Sequence, residues 1–279
     1  MQQLLDGIGA ICREAGDAIL EVYERANHEV ETKEDDSPLT AADRAAHRII
    51  VSGLTTLAPD IPVLSEESDA PDYDIRRRWS RYFLVDPLDG TKEFISRNGE
   101  FTVNIALVED GAPVMGVVFV PVKEVLYGGW CTEDNKGAYV ERGGIRENIR
   151  TRALKPRLRD DLPVTVVASR RHGGEALTGV LAELEKHFTR VETANMGSSI
   201  KLCLVAEGKA DFYPRLAPTS EWDTAAAHAV VAAAGGEVVD MAFVPLRYNT
   251  KEDILNPFFY VIGDPSFPWE DILGDVDAA

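Results

Sequence analysis

The chain has 279 residues, 45% apolar and 27% charged, enough to bury a large core in one domain or in two packed halves of about 140 residues. Lysine and arginine number 29 against 47 aspartates and glutamates, and the resulting charge of −18 excludes bulk electrostatic attraction to nucleic acid or anionic lipid. No window approaches about 18 uninterrupted apolar residues, the N-terminal stretch has no basic flank, and three scattered cysteines (Cys12, Cys131, Cys203) read as reduced thiols, so a soluble intracellular protein is expected.

Leu4, Ile8, Ile11, Ala15, Ile19 and Val22 recur at spacings of three and four, which predicts an amphipathic opening helix of roughly 22 residues. A polar break, KEDDSP at 33–38, precedes a second helix with Thr40 as its N-cap, running to Leu57 with Ile49, Ile50 and Leu54 on its apolar side. Short strands are expected at 61–64 and 82–85, then a β-rich series at 102–107, 113–120, 125–130 and 137–140, with turns at 109–111 and 143–144. The polar, basic stretch at 142–162 is the best boundary. Beyond it strand and helix alternate: strand 164–168, helix 174–187, strand 190–193, helix 199–207, strand 211–213, helix 223–234 and strand 258–262. The expected architecture is an α/β (α+β) layered sandwich of two subdomains, 1–158 and 159–279, the first with two helices on a mostly antiparallel sheet and the second an α/β unit.

The richest segment for chemistry is RYFLVDPLDGTKEF at 81–94. An apolar strand ends at Asp86, because Pro87 cannot continue a central ladder. The turn can then fold Asp86 and Asp89 onto one cation and leave the Leu88 carbonyl as a third oxygen ligand, a set that suits hard divalent ions. Gly90 permits close backbone approach, and amides around Thr91 at a helix start suit a phosphate oxygen. Phosphatases of the haloacid dehalogenase type carry D-x-D-G-T; the spacing here, D-x-x-D-G-T, is one residue longer and breaks the offset that such a site needs. Upstream, alternation sends Glu66 and Glu67 to opposite sides after a strand, and downstream Asp223 heads an alanine-rich helix, where its charge favours the dipole. His28, His47, His187 and His228 read as surface or helix-packing residues, Arg76-Arg77-Arg78 as a solvated face, and Cys203 as core.

The motifs LSEE, DPLDGTKEF, GSSIK and WDTAA, in this order and at these intervals, resemble the inositol monophosphatase superfamily of metal-dependent, lithium-sensitive phosphatases. Longer stretches, SPLTAADRAAH, YFLVDPLDGTKEFISRNGEFTVNIALVEDG, GSSIKLCLVAEGKADFYPR and LNPFF, resemble its 3′(2′),5′-bisphosphate nucleotidases of the CysQ type, and the likeness runs from about residue 5 to 262. The resemblance implies the αβαβα arrangement of that superfamily. It implies metal ligands Glu66, Asp86, Asp89, Asp223 and the Leu88 carbonyl around two or three Mg²⁺, with inhibition by Li⁺. It implies Thr91 and Asp43 as the dyad that orients and deprotonates the attacking water. For substrate it points to Gly90 and Thr91 under the cleaved phosphate, together with Glu66, Leu88, Asp89 and Asp223, and to Ser169, His172, Gly197, Ser198 and Lys201 around the nucleotide; Arg171 inside SRRH departs from the small residue common in relatives.

The implied activity is Mg²⁺-dependent hydrolysis of adenosine 3′,5′-bisphosphate, or its sulfated relative, in sulfur assimilation. Alternatives are an inositol-phosphate or sugar-phosphate phosphatase on the same metal core, and an acidic metal-binding protein without turnover, which would not need the Asp43 and Thr91 pair. The implied partner is a small-molecule nucleotide bisphosphate and no nucleic-acid polymer; a homodimer is allowed. The implied setting is cytoplasmic, which leaves room for loose contact with the inner membrane face.

Overall fold

Two sheets carry the fold, and alternation along their strands decides what covers each face. A computed structural model describes residues 1–25, 38–132, 135–168, 174–274 and 276. The first half contains α1 (Gln2–Arg25), α2 (Pro38–Leu57), β1 (Val63–Ser65), α3 (Tyr73–Arg76), β2 (Arg81–Asp89), α4 (Thr91–Ile95), β3 (Thr102–Glu109), β4 (Ala112–Val120), β5 (Val125–Cys131), β6 (Lys136–Arg142) and β7 (Ile145–Asn148). Then come α5 (Leu154–Arg159), β8 (Val164–Ala168), α6 (Glu175–His187), β9 (Val191–Asn195), α7 (Ile200–Ala206), β10 (Phe212–Arg215), α8 (Glu221–Ala234), β11 (Glu237–Asp240), β12 (Phe259–Ile262) and α9 (Glu270–Leu273). Strands β1 to β7 form one sheet in sequence order, parallel only between β1 and β2. The second sheet has the order β11-β12-β10-β8-β9, with β10, β8 and β9 parallel.

In the first sheet Phe83, Val85, Ile105, Leu107, Val117 and Phe119 share one face and pack against Ile8 and Ile19 of α1 and Ala46, Ile50 and Leu54 of α2. Their neighbours Leu84, Ala106, Val108, Val118 and Val120 face the other way, onto Cys203 of α7 and Ala225, Ala226 and Val230 of α8. This middle cluster continues into the second sheet through Val167, Tyr213, Phe259 and Val261. The far face of that sheet, with Val166, Phe212, Tyr260 and Ile262, is covered by Val180 and Leu184 of α6 and by Trp269. A period of two on each strand thus produces the expected αβαβα sandwich.

Helix α8 lies very close to the first sheet. A Cβ on Gly116 would stand 2.0 Å from the Ala226 carbonyl oxygen, and one on Gly129 would stand 2.6 Å from the Val230 Cα. The alanines of α8 and these two glycines bring the backbones together.

Several elements differ from expectation. Helix α2 begins at Pro38, ahead of Thr40. Strand β7, inside the expected boundary stretch, folds back on β6 through Gly143 and Gly144, both with positive φ, and α5 forms later in the same stretch. The short α3, α9 and β11 are additional. Arg76 is buried and not part of a solvated face: its guanidinium donates to the Asn249 side chain and to the Lys251 and Glu252 carbonyls, while Arg77 and Arg78 are exposed. His228 is buried against the Tyr248 hydroxyl (3.0 Å), and burial brings its imidazole down to about 4. Cys203 is core, as expected.

Candidate active site

The site is built where β2 loses its regular ladder. Asp86 pairs with Asn104 and Asp89 with Thr102, so three steps on β2 match two on β3, and Pro87 and Leu88 have no partner in register. In a regular strand positions i and i+3 lie on opposite faces; the bulge resets that parity and brings both aspartates to one side. It also explains how Pro87 is tolerated within β2, which runs on to Asp89 and does not stop at Asp86 as expected: Pro87 falls where no ladder hydrogen bond is required. The extra residue that separates D-x-x-D-G-T from D-x-D-G-T is accommodated by this bulge. Asp86 is buried and accepts the Leu88 N–H at 2.9 Å, which tightens the turn.

Three further segments converge on it. The Glu66 N–H donates to the Val85 carbonyl at 3.1 Å just after β1, which sets the Glu66 carboxyl within electrostatic reach of Asp86. Asp223 is at the third position of α8 and not its N-cap: Ser220 is the cap, and the Ser220 N–H donates to the Asp223 carboxylate at 3.0 Å in a capping box. From α7, the Ser199 N–H donates to Asp89 Oδ2 at 2.6 Å. Beneath it, the Ser199 hydroxyl bonds Thr102 Oγ1 and Asn104 Oδ1, each at 2.9 Å, and the Asn104 side-chain nitrogen is buried without a partner.

Burial and mutual repulsion raise the titration of all four acids. Burial pushes Asp86 well above the usual carboxylate range, reinforced by the charges of Asp89, Glu66 and Asp223. Asp223 is raised to about 8 by burial and then by Asp89. Burial raises Asp89 against the opposing pull of Lys201 and the Ser199 N–H, and it raises Glu66 as well. The cluster is therefore short of positive charge, and its donors are all oxygen, the chemistry that suits a hard divalent cation. Among the described residues no group of three or more His, Cys, Asp or Glu side chains is arranged so that it could hold a metal ion as it stands. The four carboxylates suit such an ion by donor chemistry and charge.

Gly90 caps α4 with φ +104°, a conformation that favours glycine, and a Cβ there would press on the Phe101 Cα at 3.2 Å. Thr91 is the exposed first residue of α4. Asp43 is half-buried on α2, which touches α4, and desolvation with the charges of Glu67 and Glu66 raises it to about 7. Among the described residues no hydrogen bond joins Asp43 to Thr91. The charges of both Glu66 and the exposed Glu67 reach Asp43. His47 also has a part here: its Nδ1 is 2.9 Å from the Ser65 hydroxyl, beside Glu66.

In the same cleft as Asp89 and Asp223, Lys201 is buried on α7 and donates to the Ser198 carbonyl at 2.6 Å; burial brings its ammonium down to about 8. Ser198 has φ +44° and a buried hydroxyl without a partner. The Gly197 N–H, expected to face substrate, donates instead to the Glu100 carboxylate at 2.8 Å. Ser169 and His172 fall outside the described residues. Sequence reasoning passed over Glu100 and Arg215, although both lie inside quoted motifs. Arg215 lines the same cleft as Asp89, Lys201 and Asp223, and is fixed by Thr219 Oγ1 at 2.5 Å and the Pro218 carbonyl at 2.9 Å.

Residues 1–257 match the model of the inositol monophosphatase family. The chain belongs to that family. Among family relatives, the 3′(2′),5′-bisphosphate nucleotidase CysQ of Salmonella typhimurium is 52% identical over 259 residues, covering 92% of this chain and 99% of the relative. The Haemophilus influenzae protein of the same description is 34% identical, covering 98% and 97%. The crystal structure of CysQ from Bacteroides thetaiotaomicron, described as a bacterial member of the family, superposes with a TM-score of 0.83 at 45% identity, over 94% of this chain and 98% of that one. At 22% identity, the inositol monophosphatase from Anabaena shares the fold with a TM-score of 0.70, over 94% of this chain and 91% of that one.

Proposed function

We propose that this chain is a metal-dependent phosphatase that hydrolyses adenosine 3′,5′-bisphosphate to AMP and phosphate, the sulfated analogue being a further substrate, in sulfur assimilation and nucleotide recycling. The observation that carries this reading is a cleft in which Asp89 and Asp223, which interact electrostatically with Glu66 and Asp86, share the lining with the cations Lys201 and Arg215. A phosphate ester cannot approach four carboxylates alone, and a second phosphate needs cations of its own. The CysQ descriptions of the 52% and 34% identical relatives support the same substrate class.

Glu66, Asp86, Asp89, Asp223 and the Leu88 carbonyl would hold two or three Mg²⁺, with Li⁺ as an inhibitor. Such ions supply Lewis acidity toward the phosphoryl oxygens and a lowered water pKa. Asp43, raised to about 7, is suited to accept a proton near neutrality, and the Thr91 hydroxyl would orient the attacking water and pass its proton on. Lys201 and Arg215 hold the phosphate that is not cleaved, Lys201 as a compact charge and Arg215 as a planar fork. The site residues divide between the proposed subdomains, with Asp223, Lys201 and Arg215 contributed by 159–279 and Glu66, Asp86, Leu88 and Asp89 by 1–158. Among the described residues no helix is long and apolar enough to cross a membrane; we place the enzyme in the cytoplasm, acting on a small molecule.

The test is phosphate release from adenosine 3′,5′-bisphosphate, inositol phosphate and fructose bisphosphate, with and without Mg²⁺, for the native chain and Asp89→Asn. The expected result is a clear preference for the nucleotide, dependence on Mg²⁺, and a loss of several orders of magnitude in the variant. Near-normal turnover by Asp89→Asn in saturating Mg²⁺ refutes the ligand assignment.

A further inference from the structure

A second cleft, of about 400 Å³, opens where the start of β2 meets the β3–β4 turn and the loop after β11. Its volume falls in the range of small-ligand sites. In a chain of charge −18 its walls carry Arg77, Arg78 and Arg247 against one lining carboxylate, the exposed Asp110. Among the described residues Arg78 has no ion-pair or hydrogen-bond partner for its exposed side chain, and Arg247 donates to the Asp110 carbonyl and to no carboxylate. Only Arg77 is paired, with the exposed Asp74 at 3.2 Å. Two guanidiniums thus keep their charge uncompensated beside a concave surface, although acids outnumber bases over the whole chain.

The aromatic wall adds a second kind of chemistry. Trp79 is half-buried in the lining, and its ring lies 5.9 Å from that of Tyr82, whose hydroxyl is buried without a hydrogen-bond partner. Guanidinium groups favour the tetrahedral, multiply charged oxygens of phosphate, and an indole face favours a flat heteroaromatic ring. We propose that this cleft is a second ligand site, separate from the carboxylate cleft, and that it binds a nucleoside monophosphate, with the phosphate at Arg78 and Arg247 and the base against Trp79. An extended acidic peptide would use the arginines but would leave the aromatic wall and the concavity unused.

Calorimetric titration of the Mg²⁺-loaded enzyme with AMP tests this. The native chain should bind two AMP per chain, one at each cleft, and Arg78→Ser/Arg247→Ser should bind one, with the second site weakened about ten- to a hundred-fold. Hydrolysis by the double variant should match the native chain, which separates this site from the catalytic reading. Inorganic phosphate alone and adenosine alone should each bind the second site at least about tenfold more weakly than AMP. AMP binding that the double variant leaves unchanged in number and affinity, or phosphate binding as tightly as AMP, would overturn the proposal; a single site on the native chain that the double variant loses would instead count against the reading of the carboxylate cleft. Should loss of the Arg247 contact to the Asp110 carbonyl prevent folding, Arg78→Ser alone, at an exposed and unpartnered side chain, must still weaken the second site.

Discussion

Replacing Lys201 with methionine should strengthen the fold while weakening the enzyme. Lys201 is 6% exposed, and burial brings its ammonium to about 8 from an ordinary 10.5. At pH 7 the group is charged in both the folded and unfolded chains. The difference 10.5 − 8, at about 1.36 kcal/mol per pH unit, sets roughly 3 kcal/mol against the charged folded state. Methionine fills a similar volume without the charge but gives up the bond to the Ser198 carbonyl, worth on the order of 1 kcal/mol. The net expectation is a gain of about 2 kcal/mol, measured by urea unfolding of the metal-free protein at pH 7. The sign of the pH dependence is fixed: between 8 and 10.5 the unfolded chain binds more protons at Lys201, so the native protein gains stability there and the advantage of the variant shrinks. In phosphate-release assays the variant should lose about ten- to a hundred-fold in kcat/KM on adenosine 3′,5′-bisphosphate and little on a simple monophosphate ester. A variant less stable than the native chain at pH 7, or a gain unchanged at pH 10.5, refutes the reasoning about burial. An equal loss on both substrates removes Lys201 from nucleotide recognition.

Thr91→Ala and Asp43→Asn should each depress kcat with little change in KM, and the double variant should be scarcely worse than either single one; fully multiplicative losses would mean that they act independently. Burial holds His228 at about 4 against an ordinary 6.5, so between those values the unfolded chain takes up the proton first and stability falls by about 3 kcal/mol as pH drops. His228→Gln should flatten that part of the acid-unfolding profile, and an unchanged slope would count against a neutral buried imidazole. Gly129→Ala should destabilise the chain by about 1–3 kcal/mol in thermal or urea unfolding, because its methyl would press on the Val230 backbone; an unchanged melting temperature would reveal slack between helix and sheet.

Much of this was legible before any coordinates. The spacing of Ile8, Ile11, Ala15 and Ile19 indicated α1, and alternating apolar runs located β3 to β6 to within a few residues. The clustering of Asp86, Asp89, Gly90 and Thr91 is local, so sequence neighbours alone suggested a phosphate and metal centre. What was not legible depends on contacts between distant residues. Arg76 reads as one of three surface arginines until the loop 173 positions later supplies the Asn249 side chain as its acceptor. The Gly197 amide looks available until Glu100, 97 residues earlier, takes it. The proline in β2 reads as a strand end because a bulge is a property of two paired strands, and one strand's letters do not contain it.

The glycines at 116 and 129 have a consequence for how the carboxylate cleft keeps its dimensions. With no side chain between them, the helix bearing Asp223 rests on the sheet bearing Asp86 and Asp89, main chain against main chain. A gap spanned by side chains can be retuned by any rotamer change or conservative swap along it. A gap set by peptide units has only covalent geometry to adjust, and that is stiff. The cleft therefore works like a gauge block: its width is inherited from the scaffold. Sequence drift at peripheral positions leaves it untouched, whereas one added methyl at either glycine, far from any reacting atom, would shift an aspartate at the other end of the lever.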